Sequence, residues 1–286
     1  MYRIVSKKML NATVCEMYVH APLAARHAEA GQFVILRPLS DSERIPLTVA
    51  GADRDGGLIR IIFQTVGETT GELASLPEGG EICDLVGPLG RATECEGAQR
   101  VCIVGGGVGC AIALPIAEKL HSLGAFVHSI IGFRTSELVI LRDDFAKVSD
   151  KLSLVTDDGS EGERGNVCMP LTAALEAGER YDRIIAIGPL VMMKYVCEAA
   201  RPYGIPVTVS MNPIMIDGTG MCGGCRTALI EDGKRVWRLA CTEGPEFDGY
   251  KVDFDTMQSR QRAWAREESH RRDEHCALMR RGEEQN

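Results

Sequence analysis

The chain has 286 residues, 45% of them hydrophobic and 5% aromatic, and its 32 basic and 40 acidic side chains give a formal net charge of -8. That length suits two or three domains, and the acidic balance gives no general attraction to nucleic acid or anionic lipid, so neither is expected as a partner. The opening MYRIVSKKMLNATVCEMYVHAP lacks the apolar core of a signal peptide, and no apolar run reaches the ~18 residues of a membrane span. Most of the eleven cysteines stand singly in apolar runs, as in a reducing compartment, so a cytoplasmic location is expected.

Residues 1–98 consist of short alternating runs between turn residues: YRIVSKKML, TVCEMYVHA, GQFVILRP, IPLTVAG, GLIRIIFQTV and GEICDLVGPLG. Alternation at this spacing predicts a small antiparallel β barrel. Within it, Arg44 of ERIPLT offers a cation, and VGETTGEL from Val66 offers a Gly/Thr-rich helix start; both suit phosphate.

The pattern changes over residues 99–215. RVCIVGG, AFVHSIIGF, KLSLVTDD, RIIAIG and PVTVSM are apolar runs with helical segments between them, which predicts a doubly wound α/β domain on a parallel sheet. The first strand ends in GGGVGC, where Gly106, Gly107, Val108 and Gly109 let backbone N–H groups and a helix N-terminus meet a pyrophosphate, although Cys110 takes the place of the last small residue of that pattern. Arg134 follows the second strand and suits a 2'-phosphate, whereas Asp157 and Asp158 suit a ribose, so these residues leave NADH and NADPH both open. Gly188 and Pro189 close a later strand, at the sheet end where a nicotinamide would lie.

Residues 216–255 carry DGTGMCGGC. Asp217, Cys222 and Cys225 reproduce the C-x4-C-x2-C spacing of plant-type 2Fe-2S sites with a carboxylate in the first position, and Cys241 is the natural fourth ligand. Gly218, Gly220, Gly223 and Gly224 allow the backbone to wrap a cluster closely. The competing reading is structural zinc, in a nucleotide-binding scaffold without turnover; no histidine lies between Asp217 and Cys241 to favour it. Barrel, dinucleotide domain and cluster in this order form a path from a two-electron hydride to single electrons, which needs a flavin in the middle. No Ser-His-Asp or paired-carboxylate set is evident, so no side chain is expected to be catalytic.

Taken together, ERIPLT, VGETTGEL, GGGVG, TDDGSEG, AIGPLVMM, DGTGMCGGC and CTEGPEFDGYKVDFD resemble the ferredoxin-reductase-like flavoproteins, over about Met1 to Asp255. That family includes the electron-transfer subunit of dihydroorotate dehydrogenase and, more similar still, the small subunits of NADH-dependent reduced ferredoxin:NADP+ oxidoreductases. The aspartate among the cluster ligands favours the second branch, since the dihydroorotate branch uses cysteines throughout. The resemblance implies FAD at Arg44, Pro46, Leu47 and Thr48, with Gly67, Thr69 and Thr70 near its pyrophosphate. It also implies NAD(H), a 2Fe-2S cluster, electron bifurcation, and a heterodimer with a large flavin and iron-sulfur subunit that binds NADPH and ferredoxin. Residues 256–286 form a charged segment expected to be helical, with Trp264 as a possible anchor on that subunit or, failing that, a solvated helix.

Overall fold

The computed structural model describes residues 1–263. The alternating runs at the start form β1 (Tyr2–Met9) and β2 (Val14–His20), followed by α1 (Pro22–His27), β3 (Phe33–Arg37), β4 (Ile45–Asp53) and β5 (Leu58–Gln64). Next come α2 (Glu68–Ser75), β6 (Glu81–Ile82) and β7 (Asp84–Leu89). These strands make one antiparallel sheet in the order β6-β1-β2-β5-β4-β3-β7. Its two edge strands are separated in the chain by Cys83 alone, so the sheet curls until its edges approach, giving the expected barrel-like form. Period two turns Met17, Val34, Leu36, Val49, Ile61 and Phe63 into the barrel core. Outward-facing Phe33, Ile35, Ala50 and Ile62 pack instead against the rest of the molecule.

The second half begins with β8 (Arg100–Gly106), α3 (Gly109–Ser122), β9 (Phe126–Phe133), α4 (Arg142–Lys147), β10 (Lys151–Thr156) and β11 (Glu163–Arg164). It continues through α5 (Cys168–Glu176), β12 (Arg183–Ile187), α6 (Leu190–Ala200) and β13 (Val207–Ser210). A hairpin of β14 (Arg226–Glu231) and β15 (Lys234–Leu239) follows, then α7 (Ala240–Glu243), β16 (Glu246–Asp248) and α8 (Phe254–Arg262). The second sheet runs β11-β10-β9-β8-β12-β13-β16, parallel except for β16, which pairs antiparallel with β13. Its order reverses between β8 and β12. That switch point opens a crevice at the strands' C-terminal ends, where open α/β sheets hold ligands.

Helix α8 spans the boundary between residues 255 and 256, where the charged tail was expected to begin, because Phe254 and Met257 are buried there; Ala228 N donates to Met257 Sδ at 3.3 Å. Trp264 and the remainder of that expected tail lie outside the described residues. Among the described residues, no helix is long and apolar enough to cross a membrane.

Candidate functional site

Three groups of loops carry the expected site residues. The first comprises the two turns at the switch point. A Cβ at Gly109 would stand 2.4 Å from Ile187 O and 3.0 Å from Gly188 Cα, so the turn after β8 and the turn after β12 are in backbone contact and only glycine fits between them. Met192 Sδ packs beneath both turns, 2.4 Å from the position of a Cβ on Gly106 and 3.1 Å from one on Gly188. Sequence reasoning missed Met192; its signal was its place in the first turn of the helix that Pro189 caps. Gly107 differs from its neighbours: its φ is +55°, and a Cβ there would meet nothing within 4 Å. It faces open space at the N-terminus of α3, as backbone approached by a pyrophosphate must.

Arg134 and Asp158 lie farther along the same sheet edge and are both exposed. The loops after β9 and β10 are tied together, with Asp158 N donating to Arg134 O at 3.3 Å and Ser136 N to Ser160 Oγ at 2.7 Å. The Asp158 carboxylate accepts from Ser160 Oγ and N, which holds its pKa below the ordinary value. It is therefore ionised and anchored within its own loop.

The second group belongs to the barrel. Along β4, Ile45 and Leu47 turn inward to the barrel core, leaving Pro46 and Thr48 half-buried on the outward face, opposite Ile35 and Phe33 of β3. Leu47 therefore contributes its position in the strand and not its side chain to that face. Because β5 runs antiparallel to β4, the segment after Gln64 returns to the Arg44 end, and Ser42 Oγ donates to Glu72 Oε2 of α2 at 2.6 Å. Arg44 and the N-terminus of α2 thus share one end of the barrel. Thr70 Oγ1 accepts from Gly67 N at 3.0 Å and Val66 N at 3.1 Å, so its hydroxyl is engaged in capping α2. Gly67 has nothing within 4 Å of a Cβ, and Thr69 is buried. The open first turn beside Gly67 suits an anion, whereas Arg44 is ion-paired with Asp84 at 2.8 Å and would have to share its charge.

The third group is the cysteine segment. Cys225 precedes β14 and Cys241 follows β15, so closing the hairpin brings the two thiols to an Sγ–Sγ distance of 3.2 Å; that closure explains the spacing of the third and fourth expected ligands. A metal with about 2.3 Å bonds to sulfur sets tetrahedral thiolates roughly 3.8 Å apart, so a small separation of this pair admits one. Cys241 Sγ is pushed up to about 12, first by burial and then by its bond with Cys225; an iron or zinc ion would displace that proton. Backbone N–H groups already address the sulfurs, Gly224 N to Cys222 Sγ at 3.4 Å and Cys241 N to Cys225 Sγ at 3.5 Å.

Asp217 lies in the same loop as Cys222, its carboxylate accepting from Cys222 N at 2.7 Å and Thr219 N at 2.8 Å. Those bonds, Thr219 first, hold its pKa below the ordinary range and keep it anionic. The structure therefore joins Cys225 to Cys241, and Asp217 to the Cys222 peptide. Among the described residues no three of these groups close on one point. The donor set fits a cluster in its chemistry and in its N–H···S bonding.

Gly218 joins this segment to the barrel. A Cβ on it would stand 2.6 Å from Leu89 Cδ1 and 2.7 Å from Ile35 Cδ1, and Ile35 is the cross-strand partner of Pro46. One strand thus separates the cysteine loop from the outward face of β4, while Ala50, farther along that face, packs with α3. Surface concavities of about 340 Å³ beside α6 and about 420 Å³ between α3 and β4 do not include the glycine turns.

Residues 212–253 match the family described as the iron-sulfur cluster binding domain of dihydroorotate dehydrogenase B. The chain is 43% identical over 257 residues, covering 90% of it and 89% of the relative, to a dihydroorotate dehydrogenase B (NAD(+)) electron transfer subunit homolog of Thermotoga maritima. It is 31% identical to the dihydroorotate dehydrogenase B (NAD(+)) electron transfer subunit of Geobacillus thermodenitrificans, over 87% of this chain and 96% of that one. Among solved structures it is similar to a chain of the NADH-dependent reduced ferredoxin-NADP oxidoreductase, studied for flavin-based electron bifurcation. That likeness has a TM-score of 0.88 and 38% identity, over 96% of this chain and 98% of the other. The ferredoxin reductase of carbazole 1,9a-dioxygenase, at 18% identity and a TM-score of 0.62 over 73% of this chain and 67% of the other, shares the fold.

Proposed function

We propose, for a chain that belongs to the family of dihydroorotate dehydrogenase B electron-transfer subunits and their homologues, that it is the small subunit of an electron-bifurcating ferredoxin:NADP+ transhydrogenase complex. It is an oxidoreductase subunit of the flavin and iron-sulfur class, with FAD, a 2Fe-2S cluster and NAD(H) as cofactors and a catalytic partner subunit. Bound together, these groups supply hydride exchange between nicotinamide and flavin and single-electron exchange between flavin and cluster.

The protein's part is placement. Gly106, Gly107, Val108 and Gly109 would seat the dinucleotide pyrophosphate, and Gly188 and Pro189 would border the nicotinamide. Arg134 and Asp158 would flank the adenosine ribose, with the anchored Asp158 carboxylate repelling a 2'-phosphate. Pro46 and Thr48 would face the flavin, with Arg44, Gly67, Thr69 and Thr70 at its phosphate end and Leu47 backing the strand. Asp217, Cys222, Cys225 and Cys241 would hold the cluster. The observation that carries this reading is the contact of Gly218 with Ile35, which sets the cysteine loop one strand from β4. The larger partner would carry a second flavin, bind NADPH and react with ferredoxin.

Co-expression with candidate large subunits, followed by anaerobic assay, tests the reading. The complex is expected to reduce NAD+ and ferredoxin with NADPH as donor, and the isolated chain to prefer NADH over NADPH by at least about tenfold, ~1.4 kcal/mol. A complex that instead oxidises dihydroorotate would place the chain in the other branch, which its likeness to the Geobacillus thermodenitrificans electron transfer subunit favours. A colourless protein with bound zinc would refute both.

A further inference from the structure

Two arginines outside the site described above touch the cysteine segment from different parts of the fold. Arg91, in the connection leaving β7, donates from Nε to Thr242 O at 3.2 Å, and its backbone N–H donates to Gly244 O at 2.7 Å. Thr242 adjoins Cys241. Arg260 of α8 reaches Gly224 O at 3.5 Å, and Gly224 adjoins Cys225. The guanidinium of Arg260 lies 5.3 Å from the centre of the Trp237 ring, and that of Arg226 lies 5.8 Å from it, so the exposed indole holds cationic groups beside the loop.

The pairing of charges here is uneven. Arg235 is matched by Asp253, and Arg238 by Glu231 and Glu243. Arg91 and Arg260 instead donate to peptide carbonyls, and among the described residues neither has a carboxylate within ion-pair distance. Their positive charge thus stands next to two expected cluster ligands. Reduction adds a negative charge to a cluster already held by thiolates and a carboxylate, so a nearby cation stabilises the reduced form more than the oxidised one.

We propose that Arg91 and Arg260 are positioning residues for the cluster, clamping the peptides beside Cys241 and Cys225 and raising the cluster's reduction potential with their charge. The proposal rests on Asp217, Cys222, Cys225 and Cys241 being the cluster ligands.

The test is an anaerobic redox titration of the full chain, with cluster content and midpoint followed by electron paramagnetic resonance. Arg91→Gln and Arg260→Gln should each lower the equilibrium constant for one-electron reduction by roughly three- to tenfold, tenfold being about 59 mV. Arg91→Lys and Arg260→Lys, which keep the charge, should stay near the wild-type midpoint. An intact cluster signal with an unchanged midpoint in both Gln variants overturns the proposal alone, whereas absence of a 2Fe-2S signal from the wild-type protein overturns the ligand assignment beneath it. Where a Gln variant sheds the cluster, the Lys variant decides: a wild-type midpoint supports the charge effect, and a lowered midpoint refutes it.

Discussion

Gly107 gives the sharpest test of the dinucleotide site, because the structure separates its folding role from its binding role. Its φ of +55° makes Gly107→Ala cost about 1–2 kcal/mol in backbone strain. Open space around the new Cβ adds no clash. Melting should therefore fall by only a few degrees, at about 2–4 °C per kcal/mol for a unit of this size. If a pyrophosphate approaches this backbone, the methyl stands in its path, and NAD+ affinity should fall at least about tenfold, ~1.4 kcal/mol. Gly109→Ala is the control, since its Cβ would meet Ile187 O at 2.4 Å and must force the turns apart, costing about 1–3 kcal/mol of fold stability. Calorimetric titration of the oxidised protein with NAD+, paired with thermal melts, reads both quantities. An affinity within about twofold of wild type in Gly107→Ala, with the melt behaving as expected, would refute the placement of the pyrophosphate.

At the cluster, Asp217→Cys should retain 2Fe-2S absorption but shift its potential and resonance signature, because thiolate is a softer ligand than carboxylate, whereas Cys225→Ser should lose the cluster; unchanged spectra in Asp217→Cys would remove Asp217 from the ligand set. His128 is buried between Tyr181 Oη at 2.6 Å and Ser153 Oγ at 3.1 Å, and burial lowers its pKa from 6.5 to about 4. The unfolded chain therefore takes up that proton first, so stability is complete above about pH 6.5 and falls by on the order of 3 kcal/mol as pH drops to about 4. Urea unfolding at successive pH values should show this slope in the wild type and lose it in His128→Gln; an equal slope in both would assign it to other groups. Met257→Ala should cost about 2–5 kcal/mol in urea unfolding, since the side chain is buried against the β14 hairpin, and a loss below about 0.5 kcal/mol would mean that α8 is not part of the core.

The regular barrel strands and the parallel core strands were legible because each is a run of one periodicity: alternation in TVCEMYVHA and continuous apolar burial in RVCIVGG leave little choice of partner face. The glycine turns were legible as well, since their spacing follows from backbone geometry and not from a distant partner. Less visible was whatever tertiary contact decides. PLAARH is too short a helix to show a period, and EFD became β16 only because β13 offers it an edge. The sequence divides FDTMQSRQR between the cysteine segment and the charged tail, as its two buried residues, Phe254 and Met257, make too narrow an apolar stripe to recognise without the hairpin beneath them. At the candidate site, one-dimensional spacing found the cysteines but not Met192 under the glycine turns, nor the inward turn of Leu47.

The antiparallel pairing of β16 with β13 ties the cysteine segment to the solubility of the parallel-sheet half. Without that three-residue strand, β13 would be the bare margin of the parallel sheet, a template on which another chain could polymerise. The lid over that margin is made by the same segment that carries Cys241, so residues 212–253 cannot be excised as a cassette and grafted elsewhere without exposing it. Deleting residues 212–253 from the full chain should therefore favour inclusion bodies over soluble protein.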